Sequence, residues 1–161
     1  MTYFFAGIKG SGMTGLACIL HDMGNEVLGC DDAKVYSFTE EPLNERGIKA
    51  FVISGTVKGT TEALIGFTTL RMIDEFNFTK CFVGANGIDV VGGFSTPQMN
   101  EGEIKRKVIQ RTITPYVVAD SSKFNLRSAI SFAKLTDATL ITDKKVKDFD
   151  YSQLKVIASE D

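Results

Sequence analysis

The stretch Gly7-Ile8-Lys9-Gly10-Ser11-Gly12-Met13 restricts what this chain can become more than any other part of it. Running into it is a short, continuously apolar segment, Tyr3 to Ile8, with the pattern of a buried strand. After it, Met13, Leu16, Ala17, Leu20 and Met23 recur at the spacing of one helix face until Gly24-Asn25 ends the run as a C-cap. Glu26 to Cys30 reads as a second short strand, closing on Asp31-Asp32. Strand, glycine turn, helix and strand in about 30 residues make one βαβ unit, so the sheet begins parallel and its crossover is right-handed. At such a turn the backbone amides and the positive end of the helix dipole face whatever anion sits above the strand.

The alternation continues. Phe38 to Arg46 reads as a short helix stopped by Gly47, and Ile48 to Ile53 as a strand. Thr61 to Phe76 carries a helical apolar face, Cys81 to Val83 is a strand closed by Gly84, and Asn100 to Thr112 is a charged helix with Ile104, Val108 and Ile109 turned inward. Tyr116 to Ala119 reads as a strand, Arg127 to Ala133 as a turn or two of helix, and Thr139 to Thr142 and Leu154 to Ala158 as the last strands. Met13, Met23, Phe76 and Phe78 are expected in the core. Strands and helices trading places this regularly predict an α/β fold: a three-layer αβα sandwich, Rossmann-like, with a largely parallel sheet. At 161 residues, with no internal repeat or linker, a single domain over 1–161 is expected.

Composition narrows the function. A formal net charge of −2 gives no strong pull toward polyanions, so neither a membrane nor a direct nucleic-acid partner is expected for this chain alone. The 3 cysteines, Cys18, Cys30 and Cys81, are scattered and form no Cys-x-x-Cys pair, which argues for a reducing, cytoplasmic setting. The N-terminus lacks the features of a signal peptide, and no apolar run approaches the roughly 20 residues of a membrane span. No His/Cys/Asp cluster has metal-ligand spacing, so neither metal nor cofactor is expected. His21 lies near the end of the first helix beside Asp22, with no Ser or Cys nucleophile to pair with, and a helix-end role is the simpler reading. No catalytic residue is assigned, and the chain is not expected to be an enzyme.

The first loop is spaced Gly-x-x-Gly-x-Gly rather than Gly-x-Gly-x-x-Gly, with Asp31 about 20 residues on, where a carboxylate meets a ribose hydroxyl in dinucleotide sites. The same glycines would also serve close helix-to-strand packing. Through the segments GIKGSGMTGLA, GNEVLGCDD and YSFTEEPLNERGI, residues 1–52 resemble the N-terminal UDP-binding domain of the Mur ligases. That resemblance implies a nucleotide or phosphate site at Gly7, Gly10, Ser11, Gly12, Met13 and Asp31, with Lys9 inside the loop, and a uridine nucleotide as ligand. Gly55-Thr56-Val57-Lys58-Gly59-Thr60-Thr61 does not replace an ATP loop, because its Lys precedes the second Gly and misses the phosphate register.

Farther along, Gly84, Gly87, Gly92 and Gly93 fall at strand ends with Asn86 and Asp89 among them; Glu103 and Lys105 start a helix, and Asp120-Ser121-Ser122-Lys123 follows a strand. Lysines and backbone amides neutralise a phosphate, while carboxylates and Asn read hydroxyls. A plainer reading stands beside this one. Glu101 with Lys105 and Glu103 with Lys107 are favourably ordered i,i+4 pairs on an exposed helix, Asp120 caps its turn, and Lys123 is a solvated charge. Through SGTVKGTTEALIG, FNFTKCFVGANGID, GFSTPQMNEGEIKRKVI, VVADSSKFN and FAKLTDATLITDKK, residues 53–158 resemble the sugar-phosphate sensor domain of DeoR-type transcriptional repressors. The resemblance implies a ribose-5-phosphate-isomerase-like αβα fold and a phosphorylated-sugar site at Gly84, Asn86, Gly87, Asp89, Glu103, Lys105, Asp120 and Lys123. Isomerase chemistry is not expected, because Asn86-Gly87 stands where a proton shuttle needs acids.

The two resemblances meet without a linker, giving a ligase-like segment 1–52 and a sensor-like segment 53–161 in one composite domain. The leading expectation is an engineered chimera with phosphate-binding loops and no complete catalytic machinery. The alternatives are an effector-binding domain of a DeoR-type regulator taking a phosphorylated sugar, and a UDP-sugar-binding fragment of a Mur ligase.

Overall fold

Alternating side chains on the first strand set up the layers. In the computed structural model, which describes residues 1–31, 37–52 and 69–160, strand β1 (Thr2–Ala6) sends Tyr3 and Phe5 into one hydrophobic cluster and Phe4 and Ala6 into another. Period-two alternation across a buried strand requires cover on both faces. Helix α1 (Ser11–Asp22) and helix α2 (Ser37–Glu45) cover the first face, where Ala17, Cys18 and Leu43 join Tyr3, Phe5 and Phe82. Helix α3, described over 69–74, and helix α4 (Met99–Gln110) cover the second with Ile73, Ile104 and Val108.

The remaining strands of the central sheet are β2 (Glu26–Asp31), β3 (Lys49–Val52), β4 (Phe78–Gly84), β7 (Thr112–Val118), β9 (Thr139–Lys144) and β10 (Val156–Glu160). Among the described residues they form a 7-stranded sheet in the order β10-β9-β7-β4-β1-β2-β3, every neighbour pair parallel. The Rossmann-like α/β architecture read from the alternation is therefore observed.

The sequence reading passed over a second, 3-stranded antiparallel sheet, ordered β5-β6-β8: β5 (Gly87–Asp89), β6 (Gly93–Thr96) and β8 (Ile130–Ala133). β8 corrects an expectation, because Arg127 to Ala133 was predicted to contain helical turns. Ile130 and Phe132 are spaced two apart, the strand period, and Ser131 and Ile130 pair with Ser95 and Thr96. Gly102 explains how α4 can lie against this sheet: a Cβ there would come within 2.6 Å of Ile130 Cγ2.

Met23 also departs from expectation. It is the C-cap of α1 and 71% exposed, because the helix ends at Asp22 and the chain leaves through Gly24 before that side chain can reach the sheet. Phe78 is fully buried and stacks on Phe76 with ring centroids 5.6 Å apart, as expected. The Gly55 to Thr61 segment, Ile53 and the first half of the helix predicted over Thr61 to Phe76 lie outside the described residues. Among the described residues no helix is long and apolar enough to cross a membrane.

Candidate functional site

Strand order places the site. From β1 the chain moves outward through β2 to β3, then returns to lay β4 on the other side of β1, with Ala6 opposite Val83. Ligands of open α/β sheets occupy the crevice beyond the carboxyl ends of the strands at such a reversal. Both glycine loops singled out in the sequence emerge here, 7–10 from β1 and 84–87 from β4. Asp31 ends the neighbouring β2, and β7, beside β4, leads into the turn at Asp120 to Lys123. Residues read from two separate segments thus share one edge of one sheet.

The first loop is fixed from below. Gly7, at φ +92°, and Ile8 donate their amides to Cys30 O at 2.7 and 3.1 Å, and Lys9 N–H donates to Asp31 Oδ2 at 2.7 Å. Thr14 Oγ1 donates to Ile8 O at 2.6 Å, and Thr14 N–H to Gly10 O at 2.8 Å. Gly10 is the N-cap and supplies no side-chain cap. The amides of Ser11, Gly12 and Met13 have no acceptor within a helix that starts here, and Gly10, Ser11 and Gly12 are exposed. Lys9 and Asp31 are both buried, each 6% exposed.

Beyond β4 the polar residues form a chain. Thr96 Oγ1, in a fully buried residue, donates to Glu101 Oε2 at 2.5 Å and lies 3.2 Å from Asn86 Oδ1. Glu101 Oε1 accepts from Lys105 Nζ, whose ammonium lies 5.5 Å from the centroid of the Phe132 ring. The plainer reading made Glu101 with Lys105 a solvated surface pair, but Lys105 is only 4% exposed, because α4 packs this face against β8. Glu103 is exposed on another face of α4, and Lys107 pairs with Asp74 at 3.0 Å instead of with Glu103.

Other predicted residues have local partners. Asp89 accepts the amides of Val91 and Gly92 at 3.0 and 2.5 Å and the Arg127 guanidinium, and the Gly92 amide is the main cause holding its carboxyl below the usual range. Gly84 has open space at its Cβ position, whereas a Cβ on Gly87 would meet Leu126 O at 2.5 Å. Asp120 caps the turn at Ser121 to Lys123 by accepting Ser122 N–H at 2.9 Å, with Lys123 Nζ 3.9 Å away. Asp143, at the carboxyl end of β9, accepts from Ser121 N at 2.6 Å and Ser121 Oγ at 2.9 Å, fixing that turn at the sheet edge.

Sequence reasoning did not assign Thr96, Glu101, Arg127 or Asp143. A glycine inside a charged helix, Gly102, was the available sign that the first turn of α4 is packed rather than solvated. His21 stays at the surface, its Nδ1 3.4 Å from Asp22 Oδ1. Two open grooves, of about 680 and 490 Å³, lie at the amino ends of β7 and β9, around Ile113, Pro115 and Asp137.

Residues 35–144 match the family described as the DeoR C terminal sensor domain. The chain belongs to that family. It is 38% identical over 118 residues to the "Uncharacterized HTH-type transcriptional regulator FruR" of Bacillus subtilis (strain 168), covering 73% of this chain and 47% of that protein. To the "HTH-type transcriptional regulator GlpR" of Haloferax volcanii it is 32% identical over 126 residues, covering 71% of this chain and 49% of the relative. The chain thus spans about half the length of these curated relatives. A shorter likeness, 60% identical over 48 residues, is to the UDP-N-acetylmuramate–L-alanine ligase of Ligilactobacillus salivarius (strain UCC118), covering 30% of this chain and 11% of the ligase. Among solved structures, ribose 5-phosphate isomerase from Plasmodium falciparum aligns with a TM-score of 0.43 at 15% identity, over 77% of this chain and 45% of that one.

The sensor-family match overlaps the segment read above as ligase-like. The sensor family match begins at residue 35, so α2 and β3, assigned above to a ligase-like segment 1–52, fall inside it. The comparisons support the sensor reading and give no support to an engineered origin.

Proposed function

We propose that this domain is the effector-binding part of a DeoR-type transcriptional regulator. It takes a phosphorylated sugar in the crevice above the carboxyl ends of β1, β4 and β7 and performs no catalysis. One observation carries the reading: the exposed start of α1, the Asn86–Thr96–Glu101–Lys105 chain and the Asp120–Lys123 turn lie along the edge where the strand order reverses. Amides of Ser11, Gly12 and Met13, with the helix dipole behind them, suit a phosphate. Lys123 adds positive charge, and Asn86 and the neighbouring carboxylate suit hydroxyls. No catalysis is assigned because the Asn86 amide does not titrate and cannot shuttle a proton. The relatives are named as HTH-type regulators, and a DNA-binding segment of a longer protein would read the effector-bound state.

Thermal unfolding of the chain with sugar phosphates, the parent sugars, UDP and UDP-sugars tests the reading. A ligand at a hundred times its Kd stabilises by about 2.7 kcal/mol, a Tm rise of several degrees for a domain this size. The expected result is a selective rise with one or more sugar phosphates and none with the parent sugars. A rise with UDP compounds alone, or with no compound, overturns it.

A further inference from the structure

We propose that Glu101 reads the hydroxyls of the bound sugar and that Lys105, beneath it, is a positioning residue that does not take the phosphate; the inference rests on the sensor reading above.

The electrostatics of the pair exclude the simpler assignment. A buried lysine in an anion-binding domain invites the role of phosphate ligand, but Lys105 is already neutralised by the Glu101 carboxylate in contact with it. A phosphate dianion placed against the pair would lie beside a carboxylate, and like charges in a partly desolvated site repel strongly. A sugar hydroxyl meets no such penalty. It donates to a carboxylate, and such charge-assisted bonds are short and strong.

The capacity for that bond is present. A carboxylate offers about four lone-pair sites, and Glu101 spends one on Thr96 and one on Lys105 while its side chain stays 36% exposed. Lys105 is 4% exposed and therefore acts through Glu101 rather than on the ligand. The carboxylate is held from three sides: Thr96 is fully buried and leans on Asn86, Lys105 packs over Phe132, and Gly102 lets this turn of α4 close on Ile130. Such fixing of a polar group before the ligand arrives is what selectivity needs. The pair also lies near the end of β2. The Cys30 thiol there, pushed up chiefly by burial, feels the charges of both Lys105 and Glu101.

The test is calorimetric titration of the chain with inorganic phosphate, sn-glycerol 3-phosphate and a hexose phosphate. Glu101→Gln alone would leave the Lys105 charge buried without its partner and could unfold the domain. The informative variant is therefore the double change Glu101→Gln with Lys105→Met, which removes both charges together. Loss of a hydrogen bond to a charged group corresponds to about ten- to a hundredfold in affinity. Hexose phosphate binding is expected to fall by that factor while inorganic phosphate binding changes by less than about twofold. Thr96→Val, which loosens Glu101 and keeps the ion pair, should shift the same ratio in the same direction by a smaller factor. Equal losses for both ligands would make the pair a phosphate subsite, and an unchanged ratio would make it purely structural; either overturns the inference. If the unaltered chain binds no sugar phosphate more tightly than inorganic phosphate, the sensor reading itself fails and takes this inference with it.

Discussion

The backbone amide of Lys9 donates a 2.7 Å hydrogen bond to the Asp31 carboxylate, tying the glycine turn after β1 to the last residue of β2. From sequence, Asp31 was expected to face a ribose. In the structure one of its oxygens holds the loop from within, and the residue is only 6% exposed. Asp31→Ala should therefore cost about 1–3 kcal/mol in urea unfolding, the cost of stranding a buried partner, and should weaken phosphate-ester binding by loosening the turn. Asp31→Asn, whose side-chain oxygen still accepts the bond, should recover part of both. An Ala variant with unchanged midpoint and affinity would show that the bond does not organise the loop.

Gly93 and Gly84 were both read as loop glycines of a sugar-phosphate site, and they separate cleanly in the structure. Gly93 sits at φ +68° with Ala133 O 2.2 Å from where a Cβ would stand, while Gly84 has open space. Gly93→Ala combines strain with a backbone clash and should destabilise by at least about 2 kcal/mol. Gly84→Ala should change stability by less than about 1 kcal/mol, so that any loss of ligand affinity reports on the crevice itself. Equal stability losses in the two variants would contradict this division.

What was legible follows from which forces act locally. Period-two and helical spacing in residues 1–31 gave β1, α1 and β2 to within two residues at each end, because a buried parallel strand and a one-sided helix carry their burial pattern in their own residues. The β5-β6-β8 sheet was not legible. Its strands have 3 to 4 residues, and β8 finds its partner β6 more than thirty positions away. Asn86, Lys105, Asp120 and Lys123 were recognised as polar residues near strand or helix ends. Glu101 was weighed only as half of a surface pair, since nothing local says that β8 and Phe132 bury the other half. That both glycine loops leave the same edge of the sheet required the strand order, which depends on β4 returning to β1.

Stability should fall in acid through groups at the sheet edge. Desolvation works to raise the Asp143 carboxyl, but the Ser121 amide and hydroxyl and the Thr142 hydroxyl outweigh it and hold the group at about 2. Asp120 is also lowered, first by the Ser122 hydroxyl and then by the Ser122 amide. In the unfolded chain such groups titrate near an ordinary value of about 3.9. A depressed folded value contributes stability that is complete above the unfolded one and is lost as pH falls toward the folded one. Denaturation midpoints should therefore drop between about pH 4 and pH 2, and Asp143→Asn should flatten that slope. The same slope in both proteins would contradict the assignment.

Burial raises the Cys81 thiol to about 11 and lifts Cys30 further, and both residues are fully buried. Thiolate is the reactive form, so both should resist a disulfide reagent at pH 8 until the chain opens. Their labelling rates should rise with urea in step with unfolding. Rapid native-state labelling of either residue would mean that the carboxyl end of β2 or the middle of β4 is more open than this packing allows.

The most direct test of a single crevice built from both glycine loops is an amide-resolved NMR titration of the chain with a hexose phosphate. The expected shifts concentrate at residues 10–13, 84–87 and 121–123, around the carboxyl ends of β1, β4 and β7. Shifts confined to the groove around Arg106, Ile113 and Lys134 at the opposite end of the sheet, or an unperturbed spectrum, would contradict it.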